Sequence, residues 1–236
     1  MAEVDAAGRS AREVNAAIRE LIAESSTDIT VLNPGALHNL AVAILSGVHI
    51  RIAGSAGYYC GGLGDGASIE IEGSAGWGLA ESMLSGTIRV HGNAGSGAAA
   101  ALRNGTVVVH GDAAARLGVS MKGGAVIVAG NCGYMAGFMA QKGTLIVCGD
   151  AGEAFADSMY ATVCYVGGKI ASLGTDAVLT APDTAEIEWL EATLKAQLPS
   201  EVRRSKPAAA DFKKVIAGRK LWNFDKREWR TWQEAL

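Results

Sequence analysis

The sequence predicts an all-β core that folds as a right-handed parallel β-helix of seven coils, with helical appendages at its N-terminal and C-terminal ends. A repeat of 19 residues runs without a slip from about residue 46 to 172, and each repeat contains a short stretch of alternating apolar residues. Because a unit this short cannot bury its own apolar face, successive repeats must stack on one another. The glycines that close the repeats are Gly54, Gly73, Gly92, Gly111, Gly130, Gly149 and Gly168.

The residues before each closing glycine have the pattern of a β-strand. The fourth and second residues before the glycine are apolar in every repeat, from Ile50 and Ile52 in the first to Cys164 and Val166 in the last. This period of two predicts one strand per coil with an apolar face turned inward. The residue between each pair is charged in early repeats and apolar from Val108 onward. We therefore expect the outer face of the later coils to be covered.

Two further features complete each predicted coil. A second apolar ladder lies six and ten residues after the closing glycine, and it comprises Leu79 and Met83, Leu117 and Met121, and Phe155 and Met159. A small polar residue, such as Ser74, Asn93 or Asp112, usually follows the glycine directly. Such pairs are typical of turns with positive φ, so we expect the closing glycines to adopt positive φ at a corner of each coil.

The chain divides into three predicted regions. Residues 1–45 form an N-terminal helix and strand that cap the first coil, residues 46–175 form the β-helix, and residues 176–236 form a C-terminal helix, a polar linker and an aromatic tail. Ser10 with Glu13 and Asp183 with Glu186 have the spacing of capping boxes, which predicts helices over about 10–24 and from 183 onward. Asp28 to Leu32 reads as a strand.

Composition excludes several classes of function. The formal net charge is −3 and no apolar run is long enough to span a bilayer, so we expect neither a nucleic-acid nor a membrane partner. The charged N-terminus does not resemble a signal peptide, and we expect a cytoplasmic protein. The four cysteines form no CxxC pair and occupy different columns of the repeat. They are interpreted as buried small residues and not as a disulfide or metal framework.

The sequence contains one candidate metal-binding column and no recognisable catalytic motif. Glu72, His91 and His110 each precede a closing glycine in consecutive coils, so stacking would align them. This column is interpreted as a solvated polar ladder, with a zinc site as the alternative. The glycine-rich stretch 58–66 lacks a Walker lysine and a following helix, which favours a loop over a phosphate site. We therefore assign no catalytic, cofactor-binding or metal residue to this chain.

The C-terminal tail carries three of the five tryptophans within its last 15 residues. Aromatic residues and arginine are enriched at the cores of protein interfaces. We therefore expect the tail to dock on another chain, with folding back onto the β-helix as the alternative. The predicted interface residues are Trp222, Phe224, Trp229 and Trp232.

Several segments resemble the GXGXG family, the β-helical domain found at the C-terminal end of the glutamate synthase large chain and as a separate polypeptide in related multi-subunit enzymes. The resembling segments are VLNPGALH (31–38), GYYCGGL (57–63), SMKGG (120–124) and FMAQKGTLIVCGDAGEAFADSMY (138–160). Ala114 and Ala171 depart from the pattern, because each stands where most repeats have a second corner glycine.

The resemblance implies a non-catalytic scaffold subunit of a glutamate-synthase-type amidotransferase complex. Its expected partners are a glutaminase-like, class II amidotransferase subunit and an FMN-binding subunit, in a hetero-oligomer. FMN and an iron–sulfur cluster are expected in a partner subunit, and no cofactor in this chain. Two alternatives stay open: the related subunit of a formylmethanofuran dehydrogenase-like redox complex, and a β-helical enzyme acting on polysaccharide. The latter would need a row of acidic or basic residues along one outer face.

Overall fold

A computed structural model describes residues 2–203 and 206–218 of the chain. It consists of one sheet of 11 strands with helices at both ends. The elements are β1 (Ala2–Asp5), α1 (Ala11–Ala23), β2 (Asp28–Leu32), β3 (His49–Ile52), β4 (Ser68–Ile71), β5 (Thr87–Val90), β6 (Thr106–Val109), β7 (Ala125–Val128), β8 (Lys142–Val147), β9 (Ala161–Val166), β10 (Ala177–Thr180), α2 (Thr184–Gln197), α3 (Ser200–Arg203), a short 3-10 helix (Ala209–Asp211) and β11 (Lys213–Ala217).

The sheet confirms the predicted parallel β-helix. Strands β1 to β9 are parallel neighbours in the order of the sequence, and β11 then lies antiparallel between β9 and β10. From β3 to β9 the paired residues are 19 apart, as in Ile69 with Ile88 and Ile88 with Val107. A second, one-residue bridge column runs from Ala56 through Ala75 to Ile170 on another side of the coils. The repeat length read from the sequence therefore sets the register of the stack from β3 to β9.

Both predicted apolar ladders form the core. The alternating strand residues are at most 2% exposed in all seven coils, from Ile50 to Val166. The second ladder is buried to the same extent, with Leu79, Leu117 and Phe155 facing the strand residues from across the coil. Stacking is what buries these side chains, because each coil covers the apolar surface of the next.

The β-helix begins earlier than the predicted boundary at residue 46. β2 pairs with β3 in parallel, and the segment that follows β2 also bonds to the next coil. The N–H groups of Ala36, Asn39 and Ala43 donate to carbonyl groups of the coil that follows, at 2.6–3.2 Å. Residues 28–46 are thus a further coil. The predicted helix α1, with its capping box of Ser10 and Glu13, covers this coil with Val14 and Ile18.

The expected positive φ at the closing glycines was wrong for six of the seven. Only Gly54 has a positive φ, of 149°. The corners need glycine because the coils approach closely: a Cβ on Gly111 would collide with Asn93 Oδ1 and lie 2.8 Å from the Gly92 carbonyl oxygen. The polar residue after each glycine accepts a hydrogen bond from the backbone N–H of its equivalent one coil later, as Asn93 Oδ1 does from Asp112. The acceptors of this ladder are Ser55, Ser74, Asn93, Asp112, Asn131 and Asp150, at 2.6–3.0 Å.

Left-handed residues occur instead in the middle of each coil. They lie five, seven and nine residues after the closing glycine, and most are not glycine, as with Tyr59, Ala80 and Arg116. Their backbone groups bond to neighbouring coils, for example Tyr59 N–H to Trp77 O at 2.8 Å. These bonds hold a backbone conformation that non-glycine residues adopt at a cost. The alanines that replace corner glycines keep the local bonding, since Ala114 and Ala171 each donate to the preceding coil at 2.9 Å.

The outer face of the later coils is covered, as the sequence predicts. Leu190, Leu194 and Leu198 of the C-terminal helical region pack with Phe212 onto a second apolar cluster. The cluster's sheet residues are Val108, Ile127, Ala129, Ile146, Cys148 and Tyr165. Helix α2 begins with the predicted capping box of Asp183 and Glu186. The early coils, whose outer residues are charged, lie beyond the end of this cover.

The segment 199–207, predicted as a polar linker, contains helix α3. The described part of the tail that follows folds back onto the sheet: after the 3-10 helix, β11 pairs with both β9 and β10. Lys214 forms an ion pair with Glu186, and Tyr165 donates a hydrogen bond to the same carboxylate at 3.0 Å. No helix among the described residues is long and apolar enough to cross a lipid bilayer.

Candidate partner interface

The predicted metal column is divided between two ion pairs. Glu72 binds the guanidinium of Arg51, and His91 Nε2 lies 2.7 Å from Oε1 of Glu70. Glu70 also lies 3.9 Å from Nε2 of His49. The carboxylate beside the histidines is thus Glu70, on the neighbouring outer column, and not Glu72. Among residues 2–203 and 206–218, no group of three or more His, Cys, Asp or Glu side chains has an arrangement suited to a metal ion.

His91 and His110 stack as the sequence predicts for one column. Their ring centroids are 5.0 Å apart at an interplanar angle of 24°. Nε2 of His110 is buried without a hydrogen-bond partner in the described structure. Burial, followed by the charge of His91, lowers the pKa of His110 from its ordinary value. Burial therefore favours the neutral form of His110, while His91 contacts Glu70.

This polar ladder borders a cleft of about 450 Å³ at the C-terminal end of α2. Arg89 crosses the cleft and donates to the backbone carbonyl and side-chain oxygen of Gln197. Arg89, which lies beside the ladder, therefore anchors the end of the helix that covers the later coils. Both carboxylates are paired, Glu70 with His91 and Glu72 with Arg51, which favours the interpretation of a structural polar ladder.

The four cysteines are all buried, as predicted. Burial raises the pKa of the Cys60, Cys132 and Cys148 thiols to about 12 and raises that of Cys164 as well. Because the thiolate is the nucleophilic form, these side chains are poor nucleophiles at neutral pH.

A large exposed apolar surface lies on the side of the coils between the corner and the next strand. It consists of large side chains found four to eleven residues after the corner, and we call it the aromatic face. Its members are Leu45, Tyr58, Tyr59, Leu63, Trp77, Leu84, Tyr134, Met139 and Tyr160. Four of these side chains, Tyr58, Tyr59, Trp77 and Tyr134, line one groove. Exposed apolar clusters of this kind mark surfaces that bind other proteins or ligands.

An aromatic stack forms the centre of the aromatic face. His38, Tyr58 and Trp77 belong to consecutive coils, and their rings stack with centroids 4.3 and 5.4 Å apart. Nδ1 of His38 accepts a hydrogen bond from the Tyr58 backbone N–H at 2.8 Å, which fixes the first ring of the stack. Trp77 nevertheless remains 59% exposed. A groove of about 590 Å³ runs from this stack to Tyr134, with Glu81 and Arg116 among its lining residues.

Sequence reasoning did not identify this face, although the repeat contains the signal. Tyr58, Trp77 and Tyr134 all lie four residues after a closing glycine, so the repeat aligns them in one column. The predicted interface residues Trp222, Phe224, Trp229 and Trp232 lie outside the described residues. The structure thus adds a second candidate interface to the one predicted in the tail.

Comparison with known proteins shows a likeness to a solved structure. No family model matches the chain, and no curated protein matches it. The structure is similar to a chain in the crystal structure of the formyltransferase/hydrolase complex FhcABCD from Methylorubrum extorquens, which was determined with methylofuran. The TM-score is 0.65 and the sequence identity 27%, over 76% of this chain and 70% of that chain. The likeness therefore extends over most of both chains.

Proposed function

We propose that this chain is a non-catalytic structural subunit of a multi-subunit enzyme complex and binds its partners through the aromatic face. The likeness to a chain of FhcABCD supports membership in a complex. The single observation that carries the binding role is the exposed stack of Tyr58 on Trp77, because large exposed aromatic rings are typical of interface centres. The buried thiols and the ion pairs of Glu70 with His91 and of Glu72 with Arg51 support a structural role.

Within that class, we propose a glutamate-synthase-type amidotransferase complex, N-methylglutamate synthase. What supports this proposal is the resemblance of segments 31–38, 57–63 and 138–160 to the GXGXG family. Within that family, an N-terminal helix and a C-terminal aromatic tail (219–224) resemble the B subunit of N-methylglutamate synthase. The complex would convert methylamine and glutamate into N-methylglutamate on its partner subunits. A glutaminase-like subunit and an FMN-binding subunit with an iron–sulfur cluster would supply the chemistry, and the β-helix would hold the two in register.

A second candidate function is favoured by the structural comparison. The chain would then be the β-helical subunit of a formyltransferase/hydrolase-type or formylmethanofuran dehydrogenase-like complex. Both candidates share the structural role and differ in the identity of the partners.

Co-expression tests the proposed function and separates the two candidates. We expect this chain to elute as one complex with the glutaminase-like and FMN-binding subunits of N-methylglutamate synthase, and not with the companion subunits of FhcABCD. The flavin absorbance should follow the FMN-binding subunit and be absent from this chain alone. A chain that stays monomeric with both sets of companions would contradict the proposal, and assembly with the second set alone would favour the second candidate.

Two leucines provide a matched test of the aromatic face. Leu63 lies on this face and is 53% exposed, whereas Leu179 lies on β10 and is 51% exposed. Leu63→Ala should weaken assembly while Leu179→Ala should not. Trp77→Ala should have a larger effect, a loss of about 30-fold in affinity, which is typical of an aromatic residue at an interface centre. Equal affinities for all three variants would place the interface elsewhere.

A further inference from the structure

Among the residues that the structure describes, none pairs with the outer edge of the first strand of the sheet. β1 is the outermost strand, and its only described neighbour is β2. The Ala6 N–H donates to Leu32 O, and backbone groups alternate in direction along a strand. The N–H and C=O groups of Glu3 and Asp5 therefore point away from β2. The Asp5 carbonyl accepts a bond from Arg9 Nη1 at 3.4 Å, and no described residue bonds to the backbone of Glu3 on this edge.

A groove of about 490 Å³ lies between this strand and helix α1. Ala17 and Leu21 of the helix are partly buried and contribute apolar surface to it. Its lining side chains carry four carboxylates and one guanidinium, those of Glu3, Asp5, Glu20, Glu24 and Arg9. Arg9 donates to the carbonyls of Asp5 and Glu13, so its charge is already engaged with the chain. The groove therefore has a marked excess of negative charge.

An open strand edge beside a helix is suited to binding an extended segment of another chain. In this mode the backbone of the bound segment pairs with the edge, and its alternate side chains enter the groove. We propose that the groove between β1 and α1 binds an extended segment of a partner protein, with basic side chains at alternate positions, as an additional strand on β1. This inference goes beyond the proposed function and does not depend on which complex the chain belongs to.

The charge of the groove argues against a second copy of this chain as the occupant. Pairing of β1 with itself would bring Glu3 and Asp5 of one copy close to the same residues of the other. Like charges on adjacent strands are destabilising, whereas lysine or arginine opposite these carboxylates is favourable. Charged side chains also protect edge strands from unwanted pairing. If the carboxylates of the groove only prevent pairing and bind no basic segment, the proposal is overturned.

Two synthetic peptides test the charge preference of the groove. One alternates lysine with valine and the other alternates glutamate with valine, and each is titrated into the isotope-labelled full chain while amide resonances are followed. The lysine peptide should shift residues 2–5 and 17–24 and bind about tenfold more tightly than the glutamate peptide, because several exposed ion pairs act together. Added salt should weaken this binding. If neither peptide shifts the amide resonances of residues 2–5, the edge binds no extended segment and the proposal is wrong.

Two substitutions of one residue separate strand pairing from simple charge attraction. Glu3→Pro removes an N–H that points away from β2, where proline is tolerated, and should abolish binding without changing thermal stability. Glu3→Gln keeps the N–H and should weaken binding by about threefold, the effect of one exposed charge. Equal binding by both variants would overturn the strand-addition mode.

Two further measurements keep the proposal testable if the proline variant is unstable. In the wild-type chain, the Glu3 amide should exchange with solvent more slowly when the lysine peptide is bound. The exposed pair Glu20→Lys with Glu24→Lys should reverse the preference in favour of the glutamate peptide. An unchanged Glu3 exchange rate in the saturated complex, or an unchanged peptide preference in the double variant, would contradict the proposal.

Discussion

Gly111→Ala should destabilise the chain because of the close approach of two coils and not because of backbone conformation. The added Cβ would collide with Asn93 Oδ1, which accepts a hydrogen bond from Asp112 N–H at 2.8 Å, and would lie 2.8 Å from the Gly92 carbonyl oxygen. Moving the Asn93 side chain loses that bond, at about 1 kcal/mol. Overpacking against the Gly92 backbone adds about 1–3 kcal/mol. We expect a total loss of about 3 kcal/mol, or a Tm lower by about 6–12 °C for a chain of this size.

Thermal and urea unfolding would measure this loss, and two further variants test its cause. Gly47 has ordinary φ and open space around an added Cβ, so Gly47→Ala should stay within about 0.5 kcal/mol of wild type. Asn93→Ala removes the Oδ1 atom, so in that background Gly111→Ala should cost about 1 kcal/mol less than in wild type. The reasoning is refuted if Gly111→Ala is as stable as Gly47→Ala, or if the Asn93 background leaves its cost unchanged.

Two other predictions concern the histidine ladder and the tail. The lowered pKa of His110 means that the unfolded chain binds more protons just below pH 6.5, so stability should be complete above that pH and fall as the pH drops toward the lowered pKa. His110→Gln should flatten this dependence in pH-resolved unfolding, and an unchanged slope would assign it to other groups. Truncation after Gly218 should leave Tm unchanged while weakening partner binding. Truncation after Lys206 also removes Phe212 and β11 and should lower Tm by several degrees. Equal Tm values for the two truncations would show that β11 contributes nothing to stability.

The repeat explains why the strands and core could be predicted from the sequence. The 19-residue period aligns Ile69 with Ile88 and Val107, and burial on one face leaves no other register for the strands. The capping boxes at Ser10 and Asp183 were equally informative, because each specifies a local hydrogen-bond pattern. These features depend on neighbours in the sequence or on the strict repeat.

Other features depend on contacts that the repeat alone does not specify. Glu72 and His91 occupy the same position of consecutive repeats, yet Glu72 binds Arg51 and His91 binds Glu70. Long side chains on a sheet can reach diagonal neighbours as well as the residue directly opposite. Left-handed φ at Ala80 and Arg116 is held by bonds between coils and has no signature in residue type. The apolar outer residues from Val108 onward correctly predicted a covered outer face. The sequence did not show which segment covers it, because that depends on how α2 packs against the sheet.

The structure of the co-expressed complex, determined by electron cryomicroscopy, is the most direct test of the central claim that this chain supports its partners and leaves the chemistry to them. The account predicts partner density on Tyr58, Trp77 and Tyr134, with the flavin enclosed by the FMN-binding subunit. An aromatic face left open to solvent, together with a prosthetic group enclosed by this chain alone, would contradict it.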